Sequence, residues 1–268
     1  MTETGFIPLG TTELFYQSKG VGPAVLLLHA GVADSRMWRD QMGLDGHRTI
    51  AFDQRGFGRT AWVPGPYANR YDALTVLDHL GVEQAVVVGC SNGGEAALQL
   101  AIIAPDRVSG LVLVGAVARG WEPEGGWKDD PMWEEAVAAF KAGDFDRVVN
   151  VDAQMWLAGP GRSLDDIDPE LVALFREMDQ LPATTESERE EHVQTLEPPT
   201  NEQLDNIEAP TLMVVGEYDF PDVLESAHFL ADRMSDRPAT VLEDTAHLPS
   251  LERPDRFNLV LSGFIHSV

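Results

Sequence analysis

A serine set among glycines, a late histidine and an acid between them in chain order are the residues with the most chemistry to offer. Ser91 lies in Gly89-Cys90-Ser91-Asn92-Gly93-Gly94, directly after an apolar run at 85–88 and before a stretch of small and apolar residues at 93–104. A serine hydroxyl is a weak nucleophile at neutral pH until a base takes its proton, and an imidazole titrates in the useful range. His247, in Ala246-His247-Leu248, suits that part. A carboxylate on the other ring nitrogen would fix the tautomer and stabilise the imidazolium. Asp219, in Gly216-Glu217-Tyr218-Asp219, is the choice; Glu217 is its chief rival, and Asp222 and Asp244 lie close by. The expected cycle is acylation of Ser91, departure of the leaving group, then attack by water.

The serine's surroundings add steric and electrostatic logic. A nucleophile on a sharp strand-to-helix turn needs small neighbours two residues away, and glycines at 89 and 93 meet that demand. The first N–H groups of the following helix are unpaired and favour negative charge, so the backbone N–H of Asn92 is the expected first donor to an oxyanion. A second donor is expected from the loop after residues 24–28, with Gly31 the choice and Ala30 the alternative. Strand alternation points Cys90 away from Ser91 and into the core. His29 is expected to pack under the loop, His228 to sit on a helix, and Asp53 and Arg55 to brace their own turn.

The elements that must position these groups alternate in type. Extended segments at 6–9 and 13–18 precede buried strands at 24–28, 48–52, 85–88, 108–114 and 211–215, with a last one at 239–242. Helical spacing appears at 67–80, 93–104 and 255–265. Continuous apolar strands between helices indicate an α/β fold: a mostly parallel sheet covered by helices on both faces. Between about 119 and 206 the strand signal vanishes and acid-rich, helix-like segments replace it. The expected organisation is a core of residues 1–118 and 207–268 with a helical cap, 119–206, inserted in it. Residues 120–206 hold 22 of the 44 acidic residues and only 6 Lys and Arg. Trp121, Trp127, Met132, Trp133 and Trp156 could wall an apolar pocket there or form the insert's own core; Trp133 and Trp156 are the pocket candidates.

Composition narrows the partners. A formal net charge of −25 repels nucleic-acid phosphates and anionic lipid, so neither a nucleic acid nor a membrane surface is an expected partner. One cysteine cannot form an internal disulfide, and the first ten residues carry no secretory pattern; a cytoplasmic location is expected. No metal-ligand cluster, phosphate loop or dinucleotide fingerprint is present in the sequence, so neither metal nor cofactor is implied.

The chain resembles the α/β-hydrolase superfamily over nearly all its length outside the insert. His29-Ala30-Gly31 with Trp38 resembles the family's oxyanion loop, although Ala30 stands where the family often has glycine. Asp53-Gln54-Arg55-Gly56-Phe57-Gly58 resembles its D-x-R-G-x-G turn, Gly89 to Gly94 its nucleophile elbow, Gly216 to Asp219 its acid turn, and Ala246-His247-Leu248 with Glu252-Arg253-Pro254 its histidine loop. The resemblance implies the chain order nucleophile, acid, histidine, which Ser91, Asp219 and His247 satisfy. It implies hydrolysis of a small-molecule carboxylic ester or lactone, and a serine at 91 disfavours the aspartate-nucleophile dehalogenases and epoxide hydrolases. Gly31 to Trp38 and the size of the insert are similar to 3-oxoadipate enol-lactonases, whose anionic substrate an acid-rich insert would repel. Carbon–carbon bond hydrolases, cofactor-free perhydrolases and non-catalytic ligand-binding proteins on the same fold are the other readings.

Overall fold

Three apolar runs are buried at every position: β3 (Ala24–Leu28), β5 (Ala85–Cys90) and β7 (Thr211–Gly216). Strands with no wet face must be covered on both sides. In the computed structural model, which describes residues 2–124 and 130–268, they lie inside an eight-stranded sheet. The other strands are β1 (Glu3–Leu9), β2 (Thr12–Lys19), β4 (Arg48–Phe52), β6 (Val108–Val114) and β8 (Thr240–Leu242). Their spatial order is β1-β2-β4-β3-β5-β6-β7-β8. β2 runs antiparallel to both β1 and β4, and every pairing from β4 to β8 is parallel.

Alternate side chains of one strand feed opposite layers. Leu26, Leu28 and Val87 pack with Leu77 of α1 (Asn69–His79), Leu100 of α2 (Asn92–Ile103) and Leu230 of α6 (Pro221–Met234). Leu27, Val88 and Val214 point the other way, onto Trp38 and onto Phe257 and Leu261 of α8 (Pro254–Ile265). Each such fully buried side chain contributes roughly 1.5–3 kcal/mol, so the layers are held by many equivalent contacts. The parallel strands bring Cys90, Val114, Gly216 and Leu242 to one edge of the sheet. Loops at the carboxyl ends of such strands are where α/β proteins build ligand sites.

Between β6 and β7 the described residues contain no strand. Helices α3 (Pro131–Ala142), α4 (Phe145–Asp152) and α5 (Pro169–His192) fill the interval, with a π-helical turn at Ala153–Ala158 directly after α4. Ala139, Val148, Val149 and Ala183 make a small core of their own, whereas Ala153, Leu157, Phe175 and Met178 join the sheet's second layer. Helix α5 runs through Pro182, which removes a backbone donor. Hydroxyls of Thr184 and Thr185 donate to the Leu181 carbonyl, and Arg189 Nη2 donates to that of Pro182. The remaining helix, α7 (Pro249–Glu252), is a single turn after the histidine loop. Among the described residues no helix is long and apolar enough to cross a membrane.

Candidate active site

The strand-to-helix turn after β5 is as sharp as its glycines suggest. Ser91 has φ 53° and ψ −117°, a left-handed backbone that only tight surroundings sustain in a non-glycine residue. Its N–H donates to Val114 O at 2.9 Å, and its carbonyl accepts from Gly94 N at 2.8 Å and Glu95 N at 3.0 Å. A side chain at Gly89 would overlap the Gly93 carbonyl, and one at Gly93 would overlap those of Leu28 and His29. Cys90 is fully buried, as strand alternation implies, and burial pushes its thiol well up. Its Sγ donates to the His247 carbonyl at 3.6 Å, so the turn and the histidine loop touch directly.

His247 Nδ1 lies 2.8 Å from Asp219 Oδ2, and both side chains are almost wholly out of water. Asp219 Oδ1 accepts from Phe220 N at 2.8 Å, which fixes the carboxylate's second oxygen. The rivals for this place sit elsewhere. Glu217 is exposed and accepts from Asp244 N at 3.1 Å, Asp244 itself faces Arg256 at 3.8 Å, and Asp222 belongs to the first turn of α6. Gly115, at the end of β6, presses on the pair: a Cβ there would stand 3.0 Å from His247 Nδ1 and 3.1 Å from Asp219 Oδ2. Sequence reasoning missed Gly115, whose one signal is a glycine closing an apolar strand.

The loop after β3 presents its two candidate donors differently. Gln54 N donates to His29 Nε2 at 2.9 Å, so the other ring nitrogen, Nδ1, carries the proton and donates it to the Ala30 carbonyl at 2.8 Å. Burial pushes the His29 imidazole down, consistent with this neutral tautomer. A trans peptide places C=O and N–H on opposite sides, which turns the Gly31 N–H away from His29. The Ala30 N–H is engaged by Met37 Sδ at 3.3 Å. Gly31 and Asn92 are neighbours, since a Cβ on Gly31 would lie 3.6 Å from that of Asn92. Asn92 opens α2, where its N–H has no partner within the helix. Asp53 and Arg55 do brace the adjoining turn: Asp53 accepts from the N–H groups of Ser35 and Arg59, and Arg55 pairs with Asp72 at 2.8 Å.

Ser91, His247 and Gly31 line one cavity of about 370 Å³, which residues of α3, α4 and α5 also line. Its apolar wall includes Val32, Trp133, Val137, Phe140 and Trp156. Trp156 packs against the His247 ring at a tilt, with centroids 4.7 Å apart, and meets Trp133 edge to face at 6.3 Å. The other insert residues named from sequence divide: Trp121 packs on Phe229 of α6, Met132 lines a separate shallow groove, and Trp127 lies outside the described residues. Asp152, Glu186 and Glu190 also reach the cavity, opposed there by Lys141. Burial pushes the Asp152 carboxyl up to about 6, and it hydrogen-bonds the buried Asp179, which burial and the Asp152 charge push well up. Among the described residues no cluster of metal-ligating side chains occurs.

A sheet of this order, a strained serine at its edge and a buried His–Asp pair beside it define the class, and comparison with known proteins agrees. The chain belongs to the α/β-hydrolase fold family, whose model matches residues 23–254. It is 24% identical over 252 residues to 3-oxoadipate enol-lactonase 1 of Acinetobacter baylyi, covering 92% of this chain and 90% of that one. Among solved structures it is similar to Est816, described as an N-acyl homoserine lactone degrading enzyme, with 28% identity, TM-score 0.78, and 97% and 100% of the two chains covered. It shares its fold with the enol-lactonase of Burkholderia xenovorans LB400 at 22% identity and TM-score 0.78, over 98% and 100% of the chains.

Proposed function

We propose that the protein is a cofactor-free serine hydrolase of small, uncharged carboxylic esters or lactones. Ser91 Oγ attacks the acyl carbon while His247 Nε2 takes its proton, and Asp219 holds the imidazole through Nδ1. The N–H groups of Gly31 and Asn92 receive the developing oxyanion, where preorganised donors are worth several kcal/mol. The leaving group takes the proton from His247, and water then attacks the acyl-enzyme by the same route. The insert, 119–206, acts as a cap whose Trp133 and Trp156 hold the apolar part of the substrate. The observation that carries this reading is the buried 2.8 Å contact of His247 with Asp219 beside the cavity that Ser91 lines.

Likeness to an enol-lactonase supports a second reading, in which the substrate is the anion of such a lactone. The three carboxyl groups that line the cavity weigh against it, because among the described lining residues Lys141 is the one lysine or arginine that opposes them. A fluorophosphonate probe, which phosphonylates activated serines, tests the mechanism. Labelling that disappears in Ser91→Ala is the expected result; an unlabelled protein that still binds esters would identify a receptor instead.

A further inference from the structure

His247 is gripped from the insert as well as from the core. Arg162 lies just beyond the π-helical turn, and its guanidinium donates to Leu157 O at 3.1 Å and Ala158 O at 2.8 Å. The same group donates to Asp244 O at 3.1 Å and to Glu252 Oε2 at 2.6 Å, and it stacks 4.9 Å above the Tyr218 ring, next to Asp219. Glu252, nearly inaccessible, passes the grip on: its Oε1 accepts from Ala246 N at 2.7 Å, one residue before His247. His247's own N–H donates to Trp156 O at 3.2 Å.

We propose that Arg162 and Glu252 are positioning residues for His247, locking the π-helical turn, the acid turn and the histidine loop into one block that sets the angle of the imidazole. The proposal rests on the Ser91-His247-Asp219 mechanism above. Two features make the block stiff. An arginine fork bonded to three carbonyls and a carboxylate has no freedom to swing, and a buried charge that loses its partner is costly, so each member keeps the other in place. A staple of merely structural importance would lower the melting temperature and leave the chemistry of the folded protein alone. A positioning pair must act on the rate of serine attack, because small misplacement of a reacting group costs large factors in rate.

The test compares wild type with Glu252→Gln, Arg162→Met and the double variant, well below each melting temperature. It reads the rate of fluorophosphonate labelling and, on p-nitrophenyl butyrate, kcat and KM separately. Each single variant is expected to lose roughly 10- to 100-fold in labelling rate and kcat with KM moved less than about threefold. The double variant is expected to lose no more than the worse single, since the two act as a unit. Folded variants that label at the wild-type rate, or losses that multiply in the double, would overturn the proposal. Should Glu252→Gln fail to fold, Arg162→Met and the double, which leaves no buried charge unpaired, carry the same readouts. A wild-type protein that resists labelling at Ser91 would instead sink the mechanism on which the proposal rests.

Discussion

Gly115→Ala is the sharpest probe of the His–Asp pair, because it adds one methyl group and no charge. At φ +52° the position costs an L-residue about 1–2 kcal/mol of backbone strain. The new carbon would stand 3.0 Å from His247 Nδ1 and 3.1 Å from Asp219 Oδ2, inside ordinary van der Waals contact with both ends of their 2.8 Å hydrogen bond. One or both must retreat by several tenths of an ångström, on a path along which displacement costs up to about 100-fold per ångström. We expect kcat on p-nitrophenyl esters to fall roughly 3- to 10-fold, with a melting temperature lower by about 2–6 °C. Gly81→Ala separates the two effects: φ there is +63°, yet nothing lies within 4 Å of the added carbon. That control should lose similar stability and keep full kcat. An undiminished kcat in Gly115→Ala, or an equal loss of kcat in Gly81→Ala, would refute the link between the glycine and the His247–Asp219 pair.

Asp219→Asn should lower kcat about 10³-fold or more by admitting the wrong tautomer, while Glu217→Gln changes it little; the reverse ranking in steady-state assays would move the acid's role. Because three carboxyl groups and one ammonium reach the cavity among the described residues, a p-nitrophenyl hemisuccinate should show a kcat/KM at least about tenfold below that of the butyrate; equal values would favour the enol-lactonase reading. Burial pushes the carboxyls of Glu252 and Asp152 up to about 7 and about 6. Between about pH 4 and 7 the folded chain therefore holds protons that the unfolded chain has released, and stability falls as pH rises through that window, by up to about 1.4 kcal/mol per pH unit for each group. Denaturant midpoints should be higher at pH 5 than at pH 8, and the opposite order would contradict the burial of these acids.

The strands were legible because each comes from local pattern: apolar runs at 24–28, 85–88 and 211–215 read as strands covered on both faces, and the observed ones match them to within two residues at their ends. Ser91's turn was legible because the glycine spacing records a steric necessity. What stayed hidden depends on contacts between distant segments. Gly31 was preferred to Ala30 from the sequence, but the contact that separates them, Met37, 7 residues away, engaging the Ala30 N–H, leaves no mark there. Arg162 and Glu252 are 90 residues apart, and neither carries a spacing that announces the other. The helices between β6 and β7 were hard to delimit for a different reason: Pro182, which punctuation rules treat as a stop, sits inside α5.

The backbone bond from His247 to Trp156 ties the histidine loop to a segment that lines the cavity. Specificity and reactivity are therefore not separable modules along this seam. Exchanging the whole segment between β6 and β7 would therefore disturb both at once, whereas exchanging only α3 and α4, up to Asp152, would leave the stretch bonded to His247 in place.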